Sequence, residues 1–249
     1  MENDKDIIRG ADWLYARRIA HRGLHNDLYP ENSLPAFQNA IDNGYNIETD
    51  LYILKDGKIA VFHDLNTARM CGVDSKISDL TSSDLKNYKL KGTENTIPLL
   101  EDLLALVNGK AGLLLELKSL TFNGKLESAL FEILKDYKGD YAVQSFNPMS
   151  VSWFKRHAPD VYRGQLAAYY EGTRRLEKAL ISALSALKFR KLNKPDFIAY
   201  NISNLPNKYV DMAKHEGKKL LAWTVKTDEE RKTAEEICDN YIFEGFLPG

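Results

Sequence analysis

Cysteine is scarce in this chain of 249 residues, which contains only Cys71 and Cys238. The two residues are far apart and lack the spacing of a metal site, so we interpret them as free thiols in a reducing compartment. Residues 1–10 carry too much charge for a signal peptide, and no apolar run approaches the roughly 20 residues of a membrane span. These absences predict a cytoplasmic protein without stable insertion into a membrane.

An excess of positive charge is also missing, because 34 Lys and Arg residues are balanced by 35 Asp and Glu residues. A chain with this balance has no basic surface for non-specific binding, which argues against a nucleic-acid partner. A hydrophobic content of 44% with 28% charged residues is typical of a globular protein. We found no internal repeat, low-complexity tract or obvious linker.

What the sequence does contain is a regular alternation of strand-like and helix-like stretches. Strands are predicted at 18–20, 46–52, 58–62, 112–117, 140–146, 162–167, 196–200, 219–225 and 240–244. Helices are predicted at 34–43, 98–108, 125–137, 149–157, 173–188, 206–216 and 227–238, the first with Asn32 or Ser33 as its cap. Because a helix separates nearly all of these strands, the pattern indicates a TIM barrel, with a doubly wound parallel sheet as the alternative.

The one pair of strands without an intervening helix is joined by the sequence LKDGK at 54–58. Asp56-Gly57 between alternating apolar residues predicts a hairpin, so the strand at 58–62 is antiparallel and lies outside the eight barrel strands. With Asp56 and Gly57 as a two-residue turn, Asp50 is expected directly opposite His63.

Three carboxylates are predicted to share one end of the barrel. Glu48 and Asp50 alternate on one face of the second barrel strand, and Glu116 ends the next one. Active sites of TIM barrels lie at the carboxyl ends of the strands, where clustered carboxylates need a cation. Oxygen ligands suit Mg²⁺ or Ca²⁺. The alternatives are a solvated strand face and a structural pair of Glu116 with Lys118.

Two histidines end apolar strands near these carboxylates. His21 stands in AHRG, where Gly23 lets the backbone turn, and His63 stands in VFHD. Paired imidazoles can supply one acid and one base near neutral pH, and Arg22 offers a fork that suits phosphate oxygens. A cation, two imidazoles and a basic side chain together meet the needs of phosphodiester cleavage.

The order of these motifs resembles the glycerophosphodiester phosphodiesterase family. The shared motifs, which span nearly the whole chain from about residue 17, are HRG at 21–23, PENS at 30–33, ETD at 48–50, KDG at 55–57, HD at 63–64, IP at 97–98, ELK at 116–118, QSFN at 144–147 and AWTV at 222–225. The resemblance implies one TIM-barrel domain over 1–249, with a small insertion after the second strand at 64–97. It also implies hydrolysis of glycerophosphodiesters to glycerol 3-phosphate and an alcohol.

Carried over motif by motif, the resemblance implies a role for each matched residue. His21 and His63 form the acid/base pair, Glu48, Asp50 and Glu116 hold a divalent cation, and Arg22 and Lys118 bind phosphate. Glu31, Gln144 and Trp223 are expected to line the site, with core packing as the alternative for Trp223. The expected partner is a small-molecule glycerophosphodiester.

Two segments depart from the family pattern. Arg69 is shifted relative to the Leu-x-Arg-x-Thr pattern that follows HD, and Glu244-Gly245 stands where members often carry Thr-Asp. These departures leave the substrate preference open, with a phosphodiesterase or lyase acting on another phosphodiester or a lysolipid as the alternative. Two further hypotheses are a glycosidase using Glu48 and Glu116 and a non-catalytic barrel that binds phospho-metabolites.

Overall fold

Eight parallel strands close into a barrel in the computed structural model, which describes residues 11–119, 121, 123–169 and 183–248. The barrel strands are β1 (Ile19–Ala20), β2 (Asn46–Ile53), β4 (Leu113–Leu117), β5 (Tyr141–Ser145), β6 (Arg163–Ala167), β7 (Phe197–Asn201), β8 (Lys219–Val225) and β9 (Asn240–Phe243). Each strand pairs with the next, and β1 closes the ring by pairing with both β2 and β9. The predicted TIM barrel is confirmed.

Helices follow most barrel strands in the described residues. They are α1 (Trp13–Ala16), α2 (Leu34–Asp42), α3 (Ala68–Cys71), α4 (Leu100–Val107), α5 (Lys125–Leu134), α6 (Pro148–His157), α7 (Arg190–Asn193), α8 (Lys208–His215) and α9 (Asp228–Ile237). The short α1, α3 and α7 were not predicted, and most of the helix predicted at 173–188 lies outside the described residues. None of the described helices has the length and apolar character needed to cross a bilayer.

Side chains alternate between two cores, which explains why β4 is an almost continuous apolar run. Leu114 packs in the barrel interior with apolar residues of the other strands and with Leu14 of α1. Leu113 and Leu115 face outward and pack against the surrounding helices. Glu116 is therefore directed into the barrel on the same face as Leu114.

The antiparallel strand β3 (Ile59–Val61) pairs with β2, as the hairpin signal predicted. The predicted register is wrong by one residue, because Leu51 pairs with Val61 and Ile53 with Ile59. The Leu54 N–H donates to the Lys58 carbonyl at 2.8 Å and the Gly57 N–H to the Leu54 carbonyl at 3.0 Å, so the loop has three residues and ends on Gly57 with φ +84°. Asp50 is thus opposite Phe62, and His63 lies one position beyond it.

Residues 64–97 follow this hairpin and pack on the face that carries Tyr52, Ala60 and Phe62. They include α3 and two 3₁₀ helices, Ile77–Asp79 and Leu85–Asn87. Apolar side chains of this segment form a separate core with Tyr52 and Phe62. The segment is thereby fixed beside the carboxyl ends of β1 and β2.

Candidate active site

A cavity of about 380 Å³ opens at the carboxyl ends of the barrel strands. Parallel strands all end at this mouth, so residues distant in sequence meet there. Eight of the residues predicted for the site line this cavity: His21, Arg22, Glu48, His63, Glu116, Lys118, Gln144 and Trp223. The other two, Glu31 and Asp50, are buried and contact residues of the cavity wall.

The three predicted metal ligands lie together. Asp50 and Glu116 are register partners on adjacent strands, and Glu48 is two residues before Asp50 on the same face. One oxygen from each carboxylate lies within 4.8 Å of the others, and all three side chains are buried. Burial and the neighbouring carboxylates raise the pKa of Glu48, and burial raises the pKa of Glu116 to about 6.

Two basic side chains reach this cluster. The Lys118 Nζ atom lies 2.5 Å from Glu116 Oε1 and 3.1 Å from Asp50 Oδ1. Arg22 Nε is 3.3 Å from Asp50 Oδ2, without hydrogen-bond geometry. Although burial raises the pKa of Asp50, the charges of Lys118 and Arg22 outweigh it and hold that pKa below its usual range.

The donor set suits a hard divalent cation. All the ligand atoms are oxygens, and within the described residues Asp50 Oδ1 is buried with the Lys118 ammonium as its ion-pair partner and no hydrogen bond of good geometry. Two cationic side chains face three carboxylates, so positive charge is still needed if all three ionise. The spacing of the oxygens is compatible with Mg²⁺ or Ca²⁺ coordination.

His21 directs its two ring nitrogens toward different carboxylates. Nδ1 is hydrogen-bonded to Glu244 Oε2, and Nε2 lies 3.9 Å from Glu48 Oε2. Burial lowers the pKa of His21, an effect that the hydrogen bond to Glu244 opposes. The ring is therefore held with Nε2 on the side of the carboxylate cluster.

The ring of His63 is oriented by the carboxylate of the next residue, Asp64. Its Nδ1 atom is 2.6 Å from Asp64 Oδ1, and Asp64 Oδ2 accepts a hydrogen bond of 2.6 Å from Arg69 Nε. Burial lowers the pKa of His63 as well. Arg69 is thus the residue that fixes Asp64, despite its shifted position in the sequence.

Glu31 is connected to the site by hydrogen bonds from Arg22 and Arg69. Its carboxylate accepts a hydrogen bond of 2.7 Å from Arg22 Nη1 and two more from Arg69, at 2.7 and 2.9 Å. This buttress limits the orientations that the Arg22 guanidinium can adopt on the cavity wall.

Gln144 and Trp223 each present a buried polar atom toward the cavity. Gln144 Oε1 and Trp223 Nε1 have no hydrogen-bond partner among the residues that the structure describes. The Trp223 ring also packs edge-on against Phe146, with 5.5 Å between the ring centroids. Both residues can therefore contact a ligand in the cavity, as donor or acceptor.

Sequence reasoning missed several residues of the site. Asn32, considered only as a helix cap, donates to Asp50 Oδ2 at 2.9 Å, whereas Ser33 is the cap. Asn201 and Lys226 also line the cavity. Their positions at the carboxyl ends of β7 and β8 were a usable signal once the barrel had been predicted.

Comparison with known proteins gives a consistent result. Residues 21–240 match the model of the glycerophosphoryl diester phosphodiesterase family. A glycerophosphodiester phosphodiesterase from Caldanaerobacter subterraneus is 30% identical over 227 residues, which cover 86% of this chain and 88% of that protein. One from Bacillus altitudinis is 31% identical over 156 residues, covering 57% of this chain and 63% of that protein.

Solved structures share the fold. A phosphodiesterase from Oleispira antarctica, determined in complex with its product sn-glycerol 3-phosphate, superposes with a TM-score of 0.77 at 24% identity, and the match covers 92% of each chain. At this identity the likeness establishes the barrel fold alone. The family match over residues 21–240 and the 30% identity to the Caldanaerobacter enzyme show that this chain belongs to the glycerophosphoryl diester phosphodiesterase family, whose members are phosphoric diester hydrolases.

Proposed function

We propose that this protein hydrolyses glycerophosphodiesters to glycerol 3-phosphate and an alcohol, using a divalent cation and two histidines. The observation that carries the proposal is that one cavity is lined by His21, His63, Glu48 and Glu116, with Asp50 directly behind. An anionic diester resists attack by water, and these groups supply both charge compensation and proton transfer.

Glu48, Asp50 and Glu116 are the residues that would hold the cation. When bound there, Mg²⁺ or Ca²⁺ supplies Lewis-acid stabilisation of negative charge on the phosphoryl oxygens. Arg22 and Lys118 add positive charge on the same wall, and the guanidinium of Arg22 can donate two parallel hydrogen bonds to a phosphate. Gln144 and Trp223 then orient the remainder of the substrate.

The two imidazoles divide the proton transfers. One accepts a proton from the attacking water or hydroxyl, and the other donates a proton to the leaving alkoxide. Both rings are held at Nδ1 by a carboxylate, Glu244 for His21 and Asp64 for His63. Nε2 is therefore the atom of each ring that remains for the substrate.

We extend the proposal to the organisation of the chain. The chain forms one domain over 1–249, and residues 64–97 are an insertion that supplies Arg69 to the site. The expected ligand is a small-molecule glycerophosphodiester, and the protein acts in the cytoplasm as the sequence predicts.

The direct test is release of glycerol 3-phosphate from glycerophosphodiesters with different alcohol groups, with Mg²⁺, with Ca²⁺ and after treatment with EDTA. We expect hydrolysis with at least one metal and its loss in EDTA, restored by adding that metal back. His21→Ala and His63→Ala should each lower kcat by about 10²–10⁴-fold with an unchanged circular dichroism spectrum.

Three results would contradict this proposal. Full activity in EDTA would exclude the cation. Hydrolysis of nitrophenyl glycosides but not of bis-nitrophenyl phosphate would indicate a glycosidase. Binding of several diesters without turnover, with every metal, would indicate a non-catalytic barrel.

A further inference from the structure

Glu244 is the one carboxylate in contact with His21 Nδ1 among the contacts described, yet no matched family motif assigns it a role. It directly follows β9, the barrel strand next to β1. The His21 N–H donates to the Phe243 carbonyl at 2.9 Å, so the backbone pairing of β1 with β9 extends to the residue before Glu244. The two side chains leave adjacent strands at the same mouth of the barrel and meet there.

We propose that Glu244 is the positioning residue of His21, accepting a hydrogen bond from Nδ1–H and so directing Nε2 into the cavity. A carboxylate at one imidazole nitrogen fixes the proton there, leaves the other nitrogen free to accept a proton, and stabilises the imidazolium that then forms. Nε2 of His21 is on the side of the carboxylate cluster, 3.9 Å from Glu48 Oε2. This inference rests on the proposed function of His21.

Glu244 is itself fixed in place. Its Oε1 atom accepts a hydrogen bond of 2.8 Å from Lys226 Nζ, and its backbone N–H donates to the Val225 carbonyl at 3.0 Å. His25 Nε2 lies 3.9 Å from the same oxygen that contacts His21. His21 and these basic neighbours lower the pKa of Glu244, and an ionised carboxylate accepts the stronger hydrogen bond from Nδ1–H.

The same arrangement occurs at His63, the other histidine that lines the cavity. Asp64 contacts His63 Nδ1, and Arg69 holds Asp64 as Lys226 holds Glu244. His21 and His63 are therefore each hydrogen-bonded at Nδ1 to a carboxylate, and each of these carboxylates accepts a hydrogen bond from a basic side chain. The role of Glu244 follows from this parallel as well as from its own contacts.

The test compares Glu244→Ala and Glu244→Gln with wild type, with Glu236→Ala, an exposed glutamate of α9, as the matched control. We expect Glu244→Ala to lower kcat roughly 10–100-fold with KM within about twofold, because substrate binding is retained and proton transfer is impaired. Glu244→Gln should recover part of this loss, since its amide oxygen can still accept the Nδ1 proton. Glu236→Ala should keep wild-type kcat.

A second readout does not depend on turnover. The ¹⁵N spectrum of histidine-labelled protein distinguishes a proton on Nδ1 from one on Nε2, and His21→Ala identifies the signals of His21. In the wild-type protein the neutral ring of His21 should carry its proton on Nδ1. In Glu244→Ala a larger fraction of His21 should carry the proton on Nε2. If Glu244→Ala shows this tautomer shift but the wild-type protein hydrolyses no glycerophosphodiester, the proposed function fails and the positioning role stands. An unchanged tautomer, or a raised KM with unchanged kcat, would overturn the positioning role.

Discussion

At the scale of single residues, the site is defined by how its buried charges are paired. Asp50 is 1% exposed and is held from different sides by Asn32, Lys118 and Arg22. Asn32 is oriented in turn by Thr49, whose hydroxyl donates to its side-chain oxygen at 2.7 Å. A carboxylate held in this way cannot rotate freely, which pre-organises the oxygens that face the cavity.

Glu31 is the residue whose charge should contribute measurably to stability. Burial raises its pKa, but hydrogen bonds and charges of Arg69 and Arg22 outweigh burial and lower the pKa to about 2, from an ordinary value of 4.5. Because the pKa is lowered in the folded state, the ionised form stabilises the protein fully above pH 4.5. That contribution is lost as the pH falls from there toward 2.

We therefore expect Glu31→Gln to lower the free energy of unfolding by roughly 2 kcal/mol at pH 7, the order expected for hydrogen bonds to charged groups. The difference from wild type should shrink as the pH falls below 4.5 and carboxyl groups protonate. Urea unfolding of both proteins at several pH values between 7 and 3 measures this difference in the free energy of unfolding. Glu132→Gln, at an exposed ion pair of α5, is the control and should change little. A difference for Glu31→Gln that stays constant with pH would contradict the assignment.

At the scale of elements, the turn after β1 is the piece of backbone that brings His21 and Arg22 into the site. β1 has only two residues, and the chain then turns with Arg22 at φ 56° and Gly23 at φ 79°. A Cβ atom on Gly23 would lie 2.9 Å from the Ala36 carbonyl carbon in the first turn of α2. The turn therefore needs glycine for its backbone angle and for its close approach to α2.

Gly23→Ala tests this reading of the turn. We expect it to lower the free energy of unfolding by roughly 2–4 kcal/mol, the sum of a left-handed backbone cost and a steric clash. It should also lower activity, because Arg22 and His21 would move with the turn. The matched control is Gly57→Ala, where φ is also positive but a Cβ would meet nothing within 4 Å, and roughly 1 kcal/mol is expected. Equal losses in the two variants would show that the contact with α2 is unimportant.

At the scale of the whole molecule, the pairing of β2 with β4 creates a concentration of negative charge at the mouth of the barrel. Glu48, Asp50 and Glu116 come from β2 and β4, and only the folded chain places them within 4.8 Å. The unfolded chain has no such cluster, so a cation that binds it should stabilise the folded state by mass action.

Millimolar Mg²⁺ or Ca²⁺ is expected to raise the Tm of the EDTA-treated protein by roughly 5–10 °C at a hundredfold excess over Kd. Glu48→Gln should lose most of this rise, because it removes one anionic ligand. Glu94→Gln, at a glutamate that is 89% exposed, should keep the full rise. Thermal unfolding followed by circular dichroism measures these values, and an equal rise in Glu48→Gln would place the cation elsewhere.

Local signals in the sequence determined most of the elements. All nine predicted strands are confirmed within one residue at each end, because apolar runs bounded by polar turns are a local property. Six of the predicted helices are confirmed, with ends that differ by up to three residues. The sequence also identified the set of residues at the carboxyl ends of the strands, since a barrel places such residues together whatever their separation.

Only the tertiary structure decided the contacts that depend on a distant partner. The Lys55 N–H of the β2–β3 hairpin donates to the Leu80 carbonyl in the insertion, a contact that no local pattern in the sequence indicates. The partner of His21 depends on the pairing of β1 with β9, which brings Glu244 across from the far end of the chain. Periodicity reports which face of an element is buried, but a hydrogen bond between two elements requires the positions of both, and those are set by the packing of the whole barrel.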